Sequence, residues 1–202
     1  MRDRSGAQKV ARKFEDAAQF LKSWAGKPLQ IGSVTPSSRT LSKAIAVNVD
    51  RGSTGPVIEI GPGTGPVTEA LIEHGIAESR LILVEYDAEF CALLRGRFPQ
   101  ATVIQGDAYA LTQTLAGLVG PGMAAASVCG LPLITKPEPM RLALLAEAFA
   151  LMQPNAPFVQ FTYSMLSPIP LKNAFFTAQG SPRIWLNVPP ARVWVYRKPV
   201  KT

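Results

Sequence analysis

The chain has 202 residues, of which 47% are hydrophobic and 17% charged, and it carries a formal net charge of +7. This composition excludes a disordered chain and leaves room for one domain with a full core, not two large ones. Two cysteines and a single histidine exclude a disulfide framework and a His-pair metal site, and no apolar run approaches the roughly 20 residues of a membrane-spanning helix.

The surplus of cations points to an acidic partner, either nucleic acid or an anionic membrane surface. Glu15, Asp16 and Lys22 interrupt the stretch where a signal peptide would be apolar. The expectation is a cytoplasmic monomer without metal, touching the inner leaflet of the cytoplasmic membrane only peripherally.

Residues 5–25 read as an amphipathic helix. Ala7, Val10, Ala11, Phe14, Ala17, Ala18, Leu21 and Trp24 fall at helical spacing, with Lys9, Arg12 and Lys13 mostly off that face. This divides the chain into a helix over 1–25 and a main domain over 26–202. Thr35-Pro36 pairs an N-cap with a proline at the first helical position and opens a helix to about residue 48.

From there the pattern alternates. Strands are predicted over 57–60, 80–85, 102–105, 124–129 and 157–163. Helices are predicted over 67–74, 88–97 and 137–152, with a short helical stretch after Asp107. Such an order implies an α/β fold, a mostly parallel sheet with helices on both faces. The tail departs from it. Runs 183–188 and 192–197, separated by Pro189-Pro190-Ala191, predict a final antiparallel hairpin. The proline-punctuated segment before them reads as a loop with an exposed apolar piece at Leu171, Phe175 and Phe176.

The strongest local signal is Glu59-Ile60-Gly61-Pro62-Gly63-Thr64-Gly65, a buried strand running into a glycine turn and then a helix. Glycines let a backbone approach a ligand closely, and a helix N-terminus favours a negative group. A nicotinamide fingerprint fails here, because the third glycine comes one residue early and Pro66 follows it. Three more strand ends carry suitable groups. Glu85, followed by Tyr86, ends the second strand, where a carboxylate can accept two ribose hydroxyls. Gly106-Asp107-Ala108 ends the third, although Asp107 also suits a plain helix N-cap. Cys129-Gly130-Leu131-Pro132 ends the fourth. In open α/β sheets ligands bind at the C-terminal strand edge, so these stations converge.

This set of motifs resembles the S-adenosylmethionine (SAM)-dependent class I methyltransferases with a Rossmann-like, seven-stranded sheet. More narrowly, residues 10–198 resemble the short bacterial phosphatidylethanolamine N-methyltransferases, through residues 31–38, Phe161-Thr162-Tyr163-Ser164 and residues 187–193. The resemblance implies that Glu59, Gly61, Gly63 and Gly65 hold the methionine end of SAM. Glu85 holds the ribose, Asp107 and Ala108 the adenine side, Tyr86 and Gly130 also bind the cofactor, and Ser37 and Ser38 close over it. Gly130 and Leu131 line the reacting centre, and S-adenosylhomocysteine is the product.

Tyr163 is a candidate polar contact or proton acceptor, though a buried aromatic is the plainer reading. The membrane face is expected at Lys9, Arg12, Lys13, Phe14, Leu21 and Trp24, with Lys172, Phe175, Phe176, Arg183 and Arg192 beside the mouth of the site. The partner is then a phospholipid and not nucleic acid. The competing reading is an rRNA adenine dimethyltransferase, a related family. That family carries an Asn-Leu-Pro-Tyr type motif whose tyrosine stacks on the base, where this chain has Gly130-Leu131-Pro132-Leu133.

Overall fold

A computed structural model describes residues 39–172, 174–187 and 189–199. Helix α1, Arg39–Ala46, buries Leu41, Ile45 and Ala46. Strand β1, Val57–Ile60, feeds helix α2, Pro66–Glu73. Strand β2, Leu81–Glu85, is followed by α3, Ala88–Arg97, which Asp87 caps by accepting from the amides of Glu89 and Phe90. After β3, Thr102–Gln105, come a 3₁₀ turn, Ala108–Ala110, and the short helix α4, Leu111–Thr114. Strand β4, Ala126–Cys129, and helix α5, Glu138–Leu151, lead to β5, Phe158–Thr162. Strands β6, Thr177–Gly180, and β7, Arg192–Arg197, end the sheet.

The seven strands lie in the order β3-β2-β1-β4-β5-β7-β6. Strands β1 to β5 are parallel, and β7 runs antiparallel to both β5 and β6. The strand order reverses between β1 and β4, which puts a crevice at the C-terminal ends of those strands. Alternation along β1 sends Ile58 and Ile60 to one face and Val57 and Glu59 to the other. The first face packs Ile58, Ile60, Ile82 and Val84 against Leu111, Leu144, Leu145, Phe149, Phe158 and Tyr196. Burying each such side chain contributes about 2 kcal/mol. Helix α2 covers the other face, where Thr68 reaches Glu59.

The expected α/β fold is present, and the central elements sit within a residue or two of their expected bounds. The tail needs a correction. The hairpin exists, but its first strand is Thr177–Gly180, in register Thr177↔Arg197 to Gly180↔Trp194. Of the expected run 183–188, the described residues 183–187 form no strand, and among the described residues they make the single bridge Ile184↔Ala191. Pro182, Pro189 and Pro190 have no N–H for a ladder, and the Asn187 side chain turns back to donate to the Pro189 carbonyl at 2.7 Å. The division expected after residue 25, and the helix before it, lie outside the described residues.

Candidate active site

The glycine turn is built from packing on two sides. Gly61 continues the β1–β2 ladder by donating to the Val84 carbonyl at 2.9 Å, and it adopts a φ of 67°. A Cβ there would lie 2.5 Å from Leu131 Cδ2, so side-chain volume is excluded as well as the backbone angle. From the other side, Arg97 at the end of α3 donates to the Thr64 carbonyl and pairs with Glu69 at 3.2 Å. The Phe98 ring packs under Gly65. Gly63 differs: its φ is 56°, and a Cβ on it would meet nothing within 4 Å. The turn is therefore fixed at both shoulders and open at its crown.

Glu85 latches the crown. Its Oε2 accepts from the Gly63 amide at 3.0 Å, while Oε1 accepts from Tyr86 and Asp87 amides at 2.8 and 3.1 Å. A carboxylate has about four acceptor sites, so capacity for a hydroxyl remains. Tyr86 is 78% exposed beside it. The Glu85 carbonyl in turn accepts from Gly106 at 3.0 Å. Asp107 then caps the following turn, accepting from Tyr109 at 2.8 Å, so the N-cap role holds and one carboxylate bond is used. Ala108 is half-buried against the core.

On the other side of β1, Gly130 donates to the Ile60 carbonyl at 2.8 Å. A Cβ on Gly130 would stand 2.5 Å from the Gly61 carbonyl oxygen, so the two turns touch through backbone alone. The four strand ends thus form one chain of contacts: Gly130 to Gly61, Gly63 to Glu85, Glu85 to Gly106. The structure brings the expected stations together. Ser37 and Ser38 lie outside the described residues, as do Lys9, Arg12, Lys13, Phe14, Leu21 and Trp24.

One residue went unread in the sequence. Gln160 stands in the middle of β5, is 1% exposed, and donates through Nε2 to the Leu131 and Phe161 carbonyls, both at 2.9 Å. Its Oε1 is buried with no hydrogen-bond partner among the described residues. The signal was a lone amide inside an otherwise apolar strand. A buried polar group left half-satisfied is costly. Tyr163 follows β5. Its ring packs edge-on against Phe161, and its hydroxyl bonds to Asn187. Burial pushes the phenol above its ordinary range, so Tyr163 stays protonated near neutral pH.

Glu59 is 2% exposed and accepts from the Thr68 hydroxyl at 2.7 Å. Burial pushes its carboxyl up to about 7, against the pull of the Thr68 bond, and the nearby Glu85 charge adds to the rise. It lies beneath the turn, not at the open crown. Cys129 is buried, its thiol pushed up to about 12 by desolvation, which makes it inert packing. No group of three or more metal-binding side chains occurs among the described residues.

The expected membrane contacts fare unevenly. Phe176 is a correction: it is 7% exposed and meets the Tyr196 ring edge-on at 5.6 Å, so it is core. Phe175 is 49% exposed but packs on Phe149. Both lead into Thr177, paired with Arg197 beyond the Phe158↔Tyr196 pair. That is the sheet edge away from the glycine turn, so these rings do not flank the mouth. Lys172 is exposed. Arg183 is half-buried and donates to the Tyr163 and Pro190 carbonyls at 2.8 and 3.4 Å. Arg192 is half-buried opposite Thr162, on the cofactor edge.

An open glycine crown with an acid at its shoulder, a second acid one strand further on and a snug backbone contact behind fits an adenosyl-type ligand. The comparisons agree. The family model described as "Ribosomal RNA adenine dimethylase" matches residues 37–116. An ornithine lipid N-methyltransferase of Singulisphaera acidiphila is 32% identical over 152 residues, which is 74% of this chain and 79% of that protein. The chain belongs to the SAM-dependent methyltransferases. A ribosomal RNA small subunit methyltransferase A of Geobacter sulfurreducens is 38% identical over 74 residues, 35% of this methyltransferase and only 26% of that enzyme. Among solved structures, the Burkholderia thailandensis 1,6-didemethyltoxoflavin-N1-methyltransferase, with bound 1,6-didemethyltoxoflavin and S-adenosylhomocysteine, shares the fold. Its TM-score is 0.61 at 16% identity, with 96% of this methyltransferase and 90% of that chain covered. The cofactor is SAM, and among the described residues no helix is long and apolar enough to cross a membrane.

Proposed function

We propose that this methyltransferase moves methyl groups from SAM to the amine of phosphatidylethanolamine, and of its mono- and dimethyl derivatives, towards phosphatidylcholine. The observation that carries this reading is the unequal reach of the two likenesses. The rRNA adenine dimethylase match ends at residue 116, so it takes in Gly61, Glu85 and Asp107 and leaves out Gly130. The likeness to the lipid enzyme runs over 152 residues and so extends past the Gly130 station, where an acceptor would be met. A leucine, Leu133, stands where a base-stacking tyrosine would be needed for an adenine.

In this reading the Gly61–Gly65 backbone and Glu59 face the methionine end, Glu85 and Tyr86 the ribose, and Asp107 and Ala108 the adenine. Ser37 and Ser38 close over them. SAM supplies a methyl group already activated on a sulfonium, so the chain's task is to position the amine and let it shed a proton. A primary ammonium has a pKa of roughly 10.4 in water, and burial lowers it by penalising the charged form. Gln160 and the Leu133 amide both donate to the Leu131 carbonyl and so fix the Gly130–Leu131 turn that lines the amine's position, with Tyr163 as a neutral polar neighbour. The ammonium proton would pass to water, and the freed lone pair would take the methyl group as its bond to sulfur breaks, leaving S-adenosylhomocysteine. The enzyme acts as a monomer held peripherally on the inner leaflet, its residues 1–25 lying on the anionic surface.

A second amine lipid is favoured by the name of the Singulisphaera relative, and rRNA adenine by the family model. The test offers labelled SAM with phosphatidylethanolamine vesicles, ornithine lipid vesicles and undermethylated ribosomal RNA in separate reactions. Label in phosphatidylethanolamine is expected. Label confined to ornithine lipid would change the head group, and label confined to RNA would overturn the lipid reading.

A further inference from the structure

The chain carries no aspartate or glutamate after Glu147, while Lys172, Arg183, Arg192, Arg197, Lys198 and Lys201 follow it. Among the described residues of the same stretch, the four most exposed large apolar side chains are Met165, Leu166, Trp185 and Leu186, at 65%, 72%, 73% and 82%. They come from two loops. Met165 and Leu166 follow β5, and Trp185 and Leu186 form the turn between β6 and β7 that the Ile184↔Ala191 bridge closes.

Arg183 joins the loops. Its guanidinium donates to the Tyr163 carbonyl and contacts the Met165 sulfur on one side, and it lies 5.9 Å from the centre of the Trp185 ring on the other. The location follows from the register. Thr162, the last residue of β5, pairs with Arg192, the first of β7. Strand β5 is parallel to β4, so both loops leave the sheet on the edge that carries Gly130 and Gly61.

We infer that this tip is a bilayer-insertion surface, in which Trp185, Leu186, Met165 and Leu166 enter the headgroup–acyl boundary of an anionic membrane. The occupant follows from the chemistry. A tryptophan beside leucine and methionine, with its indole N–H free to face headgroups, suits the membrane interface. Arg183 and Arg192 beside the tip, with no acid in the segment, match anionic phosphates. The inference deepens the lipid reading above and rests on it: a tip seated in the bilayer sets the Gly130 station against the headgroup layer, so an amine reaches it without the lipid leaving the membrane.

The test uses the full chain carrying Leu186→Cys, modified with an environment-sensitive fluorophore. The native Cys91 and Cys129 are buried and stay unmodified. Met123→Cys, exposed just before β4 on the opposite edge, is the control. Without SAM, phosphatidylglycerol vesicles are expected to shift the emission at position 186 to the blue, and brominated acyl chains to quench it, with position 123 unaffected. The Trp185→Ser/Leu186→Ser pair is expected to weaken association with these vesicles at least about tenfold, since even partial insertion of two apolar side chains contributes that much. Both sites are exposed, so an unchanged melting temperature accompanies the loss.

A fluorophore at 186 that stays in water while the protein sediments with vesicles would overturn the inference. So would a shift produced by RNA and not by vesicles. The two readings separate cleanly. Insertion without methyl transfer to lipid sinks the proposed substrate alone, and transfer to detergent-dispersed lipid without insertion sinks the docking surface alone.

Discussion

The Thr68 hydroxyl donates to Glu59 Oε2 at 2.7 Å directly beneath the glycine turn, and this bond ties the first turn of α2 to the strand that precedes it. The carboxyl it holds is buried, and burial pushes it up to about 7. The unfolded chain ionises this group near 4.5. Between those values the folded state holds a proton that the unfolded state has released, so stability falls as pH rises through this window. The shift corresponds to about 3 kcal/mol. Glu59→Gln keeps an acceptor for Thr68 and removes the titration. Its melting temperature is expected to exceed that of the parent above pH 8 and to converge with it below pH 5. Parallel melting curves across that range would remove the buried charge as the cause.

Glu85 holds three backbone amides at once. Glu85→Ala is expected to weaken SAM binding at least about 100-fold, since it removes the proposed ribose acceptor and unlatches Gly63 together. Glu85→Gln can still accept from Gly63 and is expected to fall between. Calorimetric titration with SAM measures both, and an unchanged affinity in the alanine variant would take the ribose role away from this residue.

Much of this geometry was legible because it rests on backbone rules. Gly61 and Gly63 announce positive φ, and Glu85 sits where a strand must stop. The parallel order followed from alternating apolar runs. What the residues could not reveal is what depends on tertiary contact. Thr177–Gly180 has a poor strand composition and is a strand only because β7 offers it an edge. Residues 183–188 have good strand composition, and flanking prolines keep them out of the ladder. Phe176 looked like its neighbour Phe175, yet only packing decides which of two adjacent rings turns to Tyr196. Gln160 needed the Leu131 carbonyl, which lies outside its own strand, to acquire a role. The arrangement of residues before 39 lies outside the described residues.

Gly130 meets Gly61 with no room between them. Gly130→Ala places a Cβ 2.5 Å from a carbonyl oxygen, so one of the two turns must shift. The cost is expected at about 2 kcal/mol in unfolding free energy. Because the shifting turn is the proposed cofactor loop, SAM affinity is expected to fall with it. Gly63→Ala is the contrast, meeting no atom within 4 Å but straining a φ of 56°. It is expected to lose less than Gly130→Ala in stability measured by urea denaturation. The reverse ranking would contradict the backbone contact.

Tyr163 bonds to Asn187, and burial keeps its phenol protonated. A phenolate base would give a rate that climbs as the tyrosine ionises and a Tyr163→Phe variant that is nearly inactive. The expected outcome is different: Tyr163→Phe keeps the parent's pH–rate profile and loses less than about tenfold in kcat, the scale of one neutral hydrogen bond. A profile that loses its alkaline limb in the variant would restore the base.

Gln160 separates positioning from binding. Its amide touches the Leu131 carbonyl on the proposed acceptor side of the site, whereas the SAM stations proposed above lie mainly on β1, β2 and β3. Gln160→Leu keeps the volume and frees that carbonyl. Methyl transfer to saturating lipid amine is expected to slow at least roughly tenfold, as loss of acceptor orientation requires, while the SAM dissociation constant stays within about twofold. A merely structural amide would lower the melting temperature and weaken SAM binding in step with the rate. The leucine removes the unpartnered Oε1 but also two bonds from Nε2 to carbonyls, so the stability change is the balance of the two, and a rate that falls while SAM affinity holds is the signature that assigns Gln160 to the reaction.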